Sequence, residues 1–393
     1  MANRRIMACV LSLALTASFA GCQQTNGSAS SSAAAAGNAA NTAASGDTIK
    51  IGFVTPLTGS TSSYGQSSQK GLQLLEEQVN KEGGINGKKI QIISVDSEGK
   101  AATAVTAGQK LINDDKVCAI VGPVLSGSSN ALAPICQQYN IPMITGTGTN
   151  ENITTAGDCI FRTCFTDPFQ GKIMAKFATE KLKAKTAAIL YDNGSDYSKG
   201  LAEAFKSAFT GKIVDTESYN SGDKDFNAQL TKIAPYNPDV LFLPEYYEDV
   251  AVIAKTARSV GIKATFIGGD GFDSPKLFSI GGDAVEGVYF STHYSADDTS
   301  AEVSQFVKDY KAKYGGDPDA FAALTYDAGK VLVDSIKKAG STDGTAIKTA
   351  LKNYSGTVVC GKITFDKNRN AVKAAVIIKT ENGKGKFFTK ITV

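Results

Sequence analysis

The sequence predicts an α/β protein built as two doubly wound parallel-sheet lobes joined by a hinge. Three observations carry this expectation. From Thr48 onward, short β-rich runs alternate with helix-compatible stretches, the pattern of a parallel sheet covered by helices on both faces. The alternation falls into two series on either side of the irregular stretch FRTCFTDP (161–168). The 393 residues also exceed what one small core organises, which suits two lobes.

The first series opens with IKIGFVTPL (49–57), a β-rich run. SSQKGLQLLEEQVNKEGG (67–84) follows, with apolar residues at helical spacing and Gly83-Gly84 to close it. KIQIISVD (89–96), VCAIVGP (117–123) and IPMITGT (141–147) read as strands; ATAVTAGQKLINDD (102–115) and SSNALAPICQQYN (128–140) read as helices between them. The second series starts at the helical DPFQGKIMAKFATEKLK (167–183). Its strands are TAAILYDN (186–193), KIVDTESY (212–219), DVLFLPE (239–245), ATFIGGDG (264–271) and EGVYFSTHY (286–294), with helices over 197–210, 225–236 and 249–261. Three helical stretches (301–315, 319–340, 345–354) return to the first lobe, and the tail is strand-like, with Asp-Lys-Asn and Asn-Gly turns. The expected lobes are 48–166 with 295–357, and 167–294 with 358–393.

The N-terminus reads as an export signal: Arg4 and Arg5, an apolar core IMACVLSLALTASFA, then Gly21-Cys22. FAGC (19–22) resembles a bacterial lipobox, with Phe19 where Leu is usual; in that reading Cys22 is lipidated and begins the mature chain. Ordinary cleavage after Ala20, at the small-x-small site Ser18-Phe19-Ala20, is the alternative. Residues 22–47 are rich in Ser, Ala, Gly, Asn and Thr and read as a flexible tether. No 18-residue apolar run occurs beyond the N-terminus, so the body does not span a membrane.

Without residues 1–21, 39 basic residues face 38 acidic ones, a net +1, which is no footprint for nucleic acid or an anionic membrane. Cys118, Cys136, Cys159, Cys164 and Cys360 remain in the body, an odd number without C-x-x-C spacing. They read as buried, inert thiols, with a Cys118–Cys136 disulfide as an alternative. His293 is the single histidine, so neither a zinc site nor a Ser-His-Asp hydrolase is expected, and no cofactor is implied. No G-x-S-x-G elbow occurs, and no G-x-G-x-x-G follows the first strand, which sets an enzyme aside.

In parallel sheets of this kind, ligands sit at the carboxyl ends of the strands. There the first series places Tyr64 in TPLTGSTSSYG, Ser126, Ser128 and Ser129 in GPVLSGSSNALAP, and Thr147 and Thr149 in MITGTGTNENIT. The second places Tyr197 in LYDNGSDYSKG, Tyr246 in FLPEYY and Asp270 in FIGGDGFDS. Singly, each has a structural explanation: Ser128 and Ser129 as helix caps, Asp270 as a turn residue, the tyrosines as packing or loop aromatics. Glu245 and Glu248 read as solvated charges. What lifts the set is its sorting, with neutral donors in the first series and a carboxylate with tyrosines in the second. A ligand carboxylate could rest on the Ser126 turn, held by hydroxyls, amides and a helix dipole, while a cation on the same molecule faces Asp270. The implied ligand is a small zwitterion, an α-amino acid.

From about Asp47 to its end, the chain resembles the solute-binding proteins of branched-chain amino acid ABC importers, which have the type I periplasmic-binding fold with three hinge crossings. The blocks that carry the resemblance are IGFVTPLTGSTSSYG, NKEGGINGKKIQI, IVGPVLSGSSNALAP, IPMITGTGTNENIT, FRTCFTDPFQG, DNGSDYSKGLA, DFNAQLTKI, ARSVGIKATFIGGDGFDSP and AVEGVYF, in that order. It implies that Ser126 and Thr149 hold the ligand carboxylate with backbone groups around Leu125 and Thr147. Asp270 then receives the ammonium, where many relatives carry Glu; Tyr197 and Tyr246 line the second-lobe side, Tyr64 covers the ligand side chain, and Tyr326 borders the hinge side. It further implies a monomeric, lipid-anchored receptor outside the cell that delivers its ligand to an ABC permease and ATPase complex. The alternative is a binder of another small ligand, such as an amide, a nucleoside or a signalling molecule, in transport or sensing.

Overall fold

The computed structural model describes residues 48–391; the expected signal, Cys22 and the tether lie outside the described residues. The first winding consists of β1 (Ile49–Thr55), α1 (Ser62–Lys81), β2 (Ile90–Asp96), α2 (Ala101–Asn113), β3 (Ala119–Val121), α3 (Ser126–Gln138), β4 (Met143–Thr145) and β5 (Ile160–Arg162). The second runs through α4 (Asp167–Glu180), β6 (Thr186–Asp192), α5 (Asp196–Ala208), β7 (Lys212–Tyr219), α6 (Asn227–Ile233), β8 (Val240–Leu243), α7 (Tyr247–Ser259), β9 (Thr265–Gly268), α8 (Pro275–Gly281) and β10 (Tyr289–Thr292). Then come α9 (Ala301–Tyr314), α10 (Ala320–Ala339), α11 (Gly344–Lys352), β11 (Ser355–Val358), β12 (Gly361–Thr364), β13 (Ala375–Glu381) and β14 (Lys384–Ile391).

The first sheet is wholly parallel, in the order β2-β1-β3-β4-β5. The second repeats that winding as β7-β6-β8-β9-β10 and adds β13 antiparallel to β10 and β14 antiparallel to β13. Strands buried on both faces need continuous apolar runs rather than alternation. Ala187–Leu190 in β6 and Leu241–Leu243 in β8 supply them, with every side chain fully buried. Helix starts carry the expected chemistry: Ser195 caps α5 by accepting from Ser198 N (3.3 Å), and Asp319 caps α10 by accepting from Ala322 N (3.0 Å).

β5, β11 and α8 were not legible as separate elements in the sequence. β5 has only three residues, and its inward Arg162 breaks the apolar signal; the guanidinium is buried, donating to Gly148 O (3.0 Å) and Glu151 O (3.3 Å).

Helices α9 to α11 pack on the first lobe, with Lys313 paired to Glu77 and Tyr314 Oη donating to Lys70 O (2.9 Å). The tail expected in the second lobe from 358 onward divides. Val359 N and Cys360 N donate to the Asp327 carboxylate of α10 (2.8 Å each), and Arg369 donates to Ile160 O (3.1 Å) and Thr154 O (2.6 Å). These bonds keep 359–370 on the first lobe, and the second sheet is entered only at β13. The chain therefore passes between lobes at 163–166, 293–300 and 371–374.

Candidate functional site

In a sheet wound 2-1-3-4-5, the crevice for ligands opens where the first and third strands diverge, at their carboxyl ends. Both lobes have this winding, and each contributes residues from the same three strand ends. After β1, β3 and β4 come Tyr64, Ser126 and the Thr147–Thr149 loop; after β6, β8 and β9 come Tyr197, Tyr246 and Asp270. The lobes are closed, so the two edges meet. Leu125, Ser126, Thr147 and Thr149 of the first lobe and Tyr197, Tyr246 and Asp270 of the second line one cavity. Val124, Gly271 and Phe321 complete it; sequence reading missed Val124 and Gly271 because an apolar residue or a glycine at a strand end has no distinctive signal, and Phe321 because it enters from helix α10. Its volume is about 10 Å³, so a ligand must be admitted by opening the lobes. Three larger cavities, of about 710, 510 and 470 Å³, lie against α10–α11, by α4–α5 and at the hinge, and none is lined by Ser126, Tyr197 or Asp270.

The first-lobe wall is made of donors. Ser126 is the first residue of α3, and the N–H groups of a helix's first turn have no acceptor within the helix. Its Oγ accepts from Asn150 N (3.2 Å) and keeps its own proton available. Thr147 Oγ1 donates to Val124 O (2.6 Å), which ties the β4 loop to the β3 turn. Ser129 Oγ donates to Pro123 O (2.9 Å), so this serine shapes the turn rather than facing a ligand. Ser128 Oγ and Thr149 Oγ1 are buried without a hydrogen-bond partner. Thr149 lies beside Asp167, whose carboxyl burial pushes well above the usual range while the threonine hydroxyl opposes that rise.

The second-lobe wall is aromatic and acidic. Tyr197 and Tyr246 stack with ring centres 5.0 Å apart, and Tyr246 meets Tyr64 edge-on at 5.7 Å. Tyr64 in turn stacks on Phe321 at 4.0 Å. Tyr64 crosses between the lobes: its Oη donates to Gly271 O and accepts from Tyr247 N (3.0 Å). Tyr247 Oη donates to Ser60 O (2.7 Å), and Ser63 Oγ meets Ser274 Oγ (2.8 Å) on the same side. On the other, Asn130 Nδ2 reaches Asp196 Oδ2 (2.8 Å) and Asn150 Nδ2 reaches Asp196 O (2.9 Å). Desolvation pushes the phenols of Tyr64, Tyr197 and Tyr246 well up, so all three are neutral.

The glycines of GGDG exist for close approach. A Cβ on Gly269 would stand 2.3 Å from Gln170 Oε1 and 2.4 Å from Tyr197 Oη; one on Gly271 would stand 2.4 Å from Glu245 O. Gly271 N donates to Tyr197 Oη (3.1 Å), which fixes the turn carrying Asp270. Asp270 is buried, with Oδ2 3.3 Å from His293 Nε2.

Two expectations are corrected, for Tyr326 and Glu245. Tyr326 does not reach the cavity: its Oη donates to Gln78 Oε1 (2.7 Å) and its ring packs on Phe306 (5.0 Å), because α10 turns that face toward α1 and α9. Glu245 is not solvated; it is 2% exposed, accepts from Ser198 Oγ (2.8 Å) and Asp192 N, and is pushed well above the usual carboxylate range by burial. It therefore braces the β6–α5 junction that presents Tyr197. Glu248 does remain at the surface, 3.3 Å from Lys224. Cys118 and Cys136 are free thiols, as are Cys159, Cys164 and Cys360, and burial pushes the Cys118 thiol up to about 12.

Residues 48–385 match the family described as periplasmic binding protein. The chain belongs to that family. It is 33% identical over 343 residues to the Leu/Ile/Val-binding protein BraC3 of Rhizobium johnstonii, covering 86% of this chain and 92% of that one. A crystal structure of the leucine-binding protein LivK from Thermotoga maritima is 36% identical, with a TM-score of 0.84, over 87% of this chain and 98% of its own. The branched-chain amino acid substrate-binding protein LivJ of Streptococcus pneumoniae, in complex with isoleucine, is 35% identical with the same TM-score of 0.84, over 88% of this chain and 99% of its own. A less similar structure, at 28% identity and TM-score 0.78 over 88% of this chain and 97% of its own, is a Rhodopseudomonas palustris solute-binding protein holding 3,4-dihydroxybenzoic acid. The two-lobed fold is thus the type I periplasmic-binding architecture.

Proposed function

We propose that this protein is the extracytoplasmic solute-binding component of an ABC importer, closing its lobes around a branched-chain α-amino acid and passing it to a permease. One observation carries the reading: equivalent strand ends offer only neutral donors on the first lobe and a buried carboxylate, Asp270, on the second. A zwitterion satisfies both walls. Its carboxylate takes Ser126, Thr149 and the N–H groups of the first turn of α3; its ammonium takes Asp270. Contact with both walls at once favours the closed state over the open one. Charge-assisted bonds contribute ~1.5–3 kcal/mol each, so a few at each end suffice for the ~8 kcal/mol of micromolar binding. The names of the relatives support a branched aliphatic side chain against the apolar faces of Leu125, Tyr64 and Phe321. Cys22, lipidated, would hold the receptor at the membrane; Cys22→Ala then releases it into the medium, and retention would reject the anchor.

The test is calorimetric titration of protein unfolded and refolded to remove bound ligand, against all twenty amino acids. Leu, Ile or Val should bind tightly. Asp270→Ala should weaken leucine by at least about 10-fold more than its des-amino analogue 4-methylpentanoate. Equal losses would remove Asp270 from the ammonium seat. The continuous aromatic stack favours a second reading, an aromatic carboxylate, as the dihydroxybenzoate-bound neighbour holds. Tight benzoate binding indifferent to Asp270→Ala would establish that reading instead.

A further inference from the structure

The chain's only histidine lies neither at the surface nor among structural packing alone. His293 is the first residue after β10, at the start of the second hinge passage, and its side chain is fully buried. β10 runs parallel to β9, with Gly268 opposite Phe290, so both strands end at the same edge of the sheet. Asp270 lies two residues beyond Gly268 and His293 three beyond Phe290; the register brings them together at 3.3 Å, Nε2 to Oδ2. The opposite face of the imidazole environment is the first hinge passage: the ring stacks on Phe165 with centres 3.5 Å apart and planes at 23°. Thr292 Oγ1 adds a parallel tie, donating to Asp273 Oδ2 (3.1 Å).

We propose that His293 is a positioning residue: its Nε2–H holds Asp270 Oδ2 from the hinge, turns the other oxygen toward the cavity, and links the ligand's ammonium seat to the hinge angle. The ammonium part rests on the function proposed above; the hinge-to-Asp270 contact does not.

Two features support the direction of the bond. The Nδ1 atom is buried and has no hydrogen-bond partner. A proton on Nδ1 would bury an unpaired donor and aim the Nε2 lone pair at a carboxylate, two unfavourable burials at once; a proton on Nε2 avoids both. Burial, opposed only in part by Asp270, holds the imidazole pKa at about 4, with the Lys373 ammonium acting in the same direction as burial. The ring is therefore a neutral donor across the physiological range. Fixing one carboxylate oxygen limits the rotation that an Asp side chain otherwise has about its terminal torsion, so the acceptor is oriented before the ligand arrives.

Because His293 is the single histidine, 15N-histidine labelling reports on it without assignment ambiguity. In the refolded full-length protein the Nε2–H tautomer is expected, with a proton shift that moves in Asp270→Asn and moves again when leucine is added. An Nδ1–H tautomer, or shifts indifferent to Asp270→Asn, would overturn the contact whatever ligand binds. For the ligand half, His293→Ala should weaken leucine about 10-fold while leaving 4-methylpentanoate nearly unchanged, and His293→Gln, which keeps a neutral N–H at similar reach, should recover most of the loss. Equal weakening of both ligands, or no recovery by Gln, would reduce His293 to packing and overturn the proposal. A wild-type protein that binds no amino acid sinks the ammonium seat, and the isotope shifts still decide whether the hinge holds Asp270.

Discussion

The two lobes share a winding but not a chemistry. Both place their contributions after the first, third and fourth strands of a 2-1-3-4-5 sheet, and both sets line one cavity except Tyr64, which packs on its Tyr246 and Phe321. On the first lobe the polar contacts are Ser126, Thr147, Thr149 and helix N–H groups, and none of these titrates near neutral pH. On the second lobe lie Asp270, His293 and, one layer behind, Glu245. One backbone plan has thus been given a donor wall and an acceptor wall. On the proposed function, the difference means that ligand polarity is read from opposite sides of the closing cleft, so that the ligand's charge pattern and the closed state require each other. It also predicts where pH, side-chain deletion and cross-lobe bonds act.

The largest expected effect separates the walls by pH. The pKa of His293 is about 4 in the folded protein, against about 6.5 for an unfolded histidine. Between those values the unfolded chain takes up a proton that the folded protein refuses. The stability from this group is therefore full above about pH 6.5 and lost as pH falls toward about 4, by roughly 3 kcal/mol. Buried acids such as Asp167 and Glu245, with raised pKa values, act in the opposite sense, so the readout is a difference. Denaturant unfolding of wild type and His293→Gln at pH 7 and pH 4.5 should show the wild type losing more stability. Parallel curves would mean that the imidazole is already solvated. Ser126→Ala, on the other wall, should leave this difference unchanged.

Next in size is deletion on the donor wall itself. Thr149→Val removes a hydroxyl that is buried and unpartnered in the closed protein, with nearly the same volume. It should weaken an amino acid by about 10-fold, one bond to a charged group, while the cost to stability stays small, since within the protein the hydroxyl acts only on the buried Asp167 carboxyl, whose raised pKa it opposes. Ser126→Ala should match it in affinity but also cost stability, since Ser126 Oγ accepts from Asn150 N. An amino acid amide, lacking the carboxylate, should be less sensitive to both. Titration calorimetry paired with thermal melts separates these outcomes, and equal sensitivity of acid and amide would move the carboxylate off this wall.

How much of this was legible beforehand follows from what each residue signals. Strand–helix alternation exposed both windings because buried parallel strands are apolar along their length. The cavity residues were legible because strand ends in such sheets are where loops meet ligands, and hydroxyls or a carboxylate there stand out. Val124 was not, since an apolar residue at a strand end has no distinctive signal, and Phe321 was not, since its role depends on helix α10 returning to the first lobe, a contact hundreds of residues apart in sequence. Glu245 misled because a carboxylate between Pro244 and Tyr246 looks solvated until β6 and α5 are seen to surround it. His293 signalled only the lack of a second histidine, and the β9–β10 register alone shows that it reaches Asp270.

The smallest effects concern two tyrosines that differ in one respect. Tyr64 Oη bonds to Gly271 O and Tyr247 N, both across the cleft, whereas Tyr326 Oη bonds to Gln78 within the first lobe. Each hydroxyl contributes about 0.5–1.5 kcal/mol per bond to whichever state contains it. For Tyr64 that state is the closed one alone. Tyr64→Phe should therefore lower affinity for every ligand about 5- to 10-fold, acid, amide and amino acid alike, because closure itself becomes less favourable. Tyr326→Phe breaks a bond present in open and closed forms equally. It should lower the melting temperature slightly and leave every dissociation constant where it was. An affinity change in Tyr326→Phe equal to that in Tyr64→Phe would show that closure is not set by bonds crossing the cleft, and that the first lobe deforms internally when ligand binds.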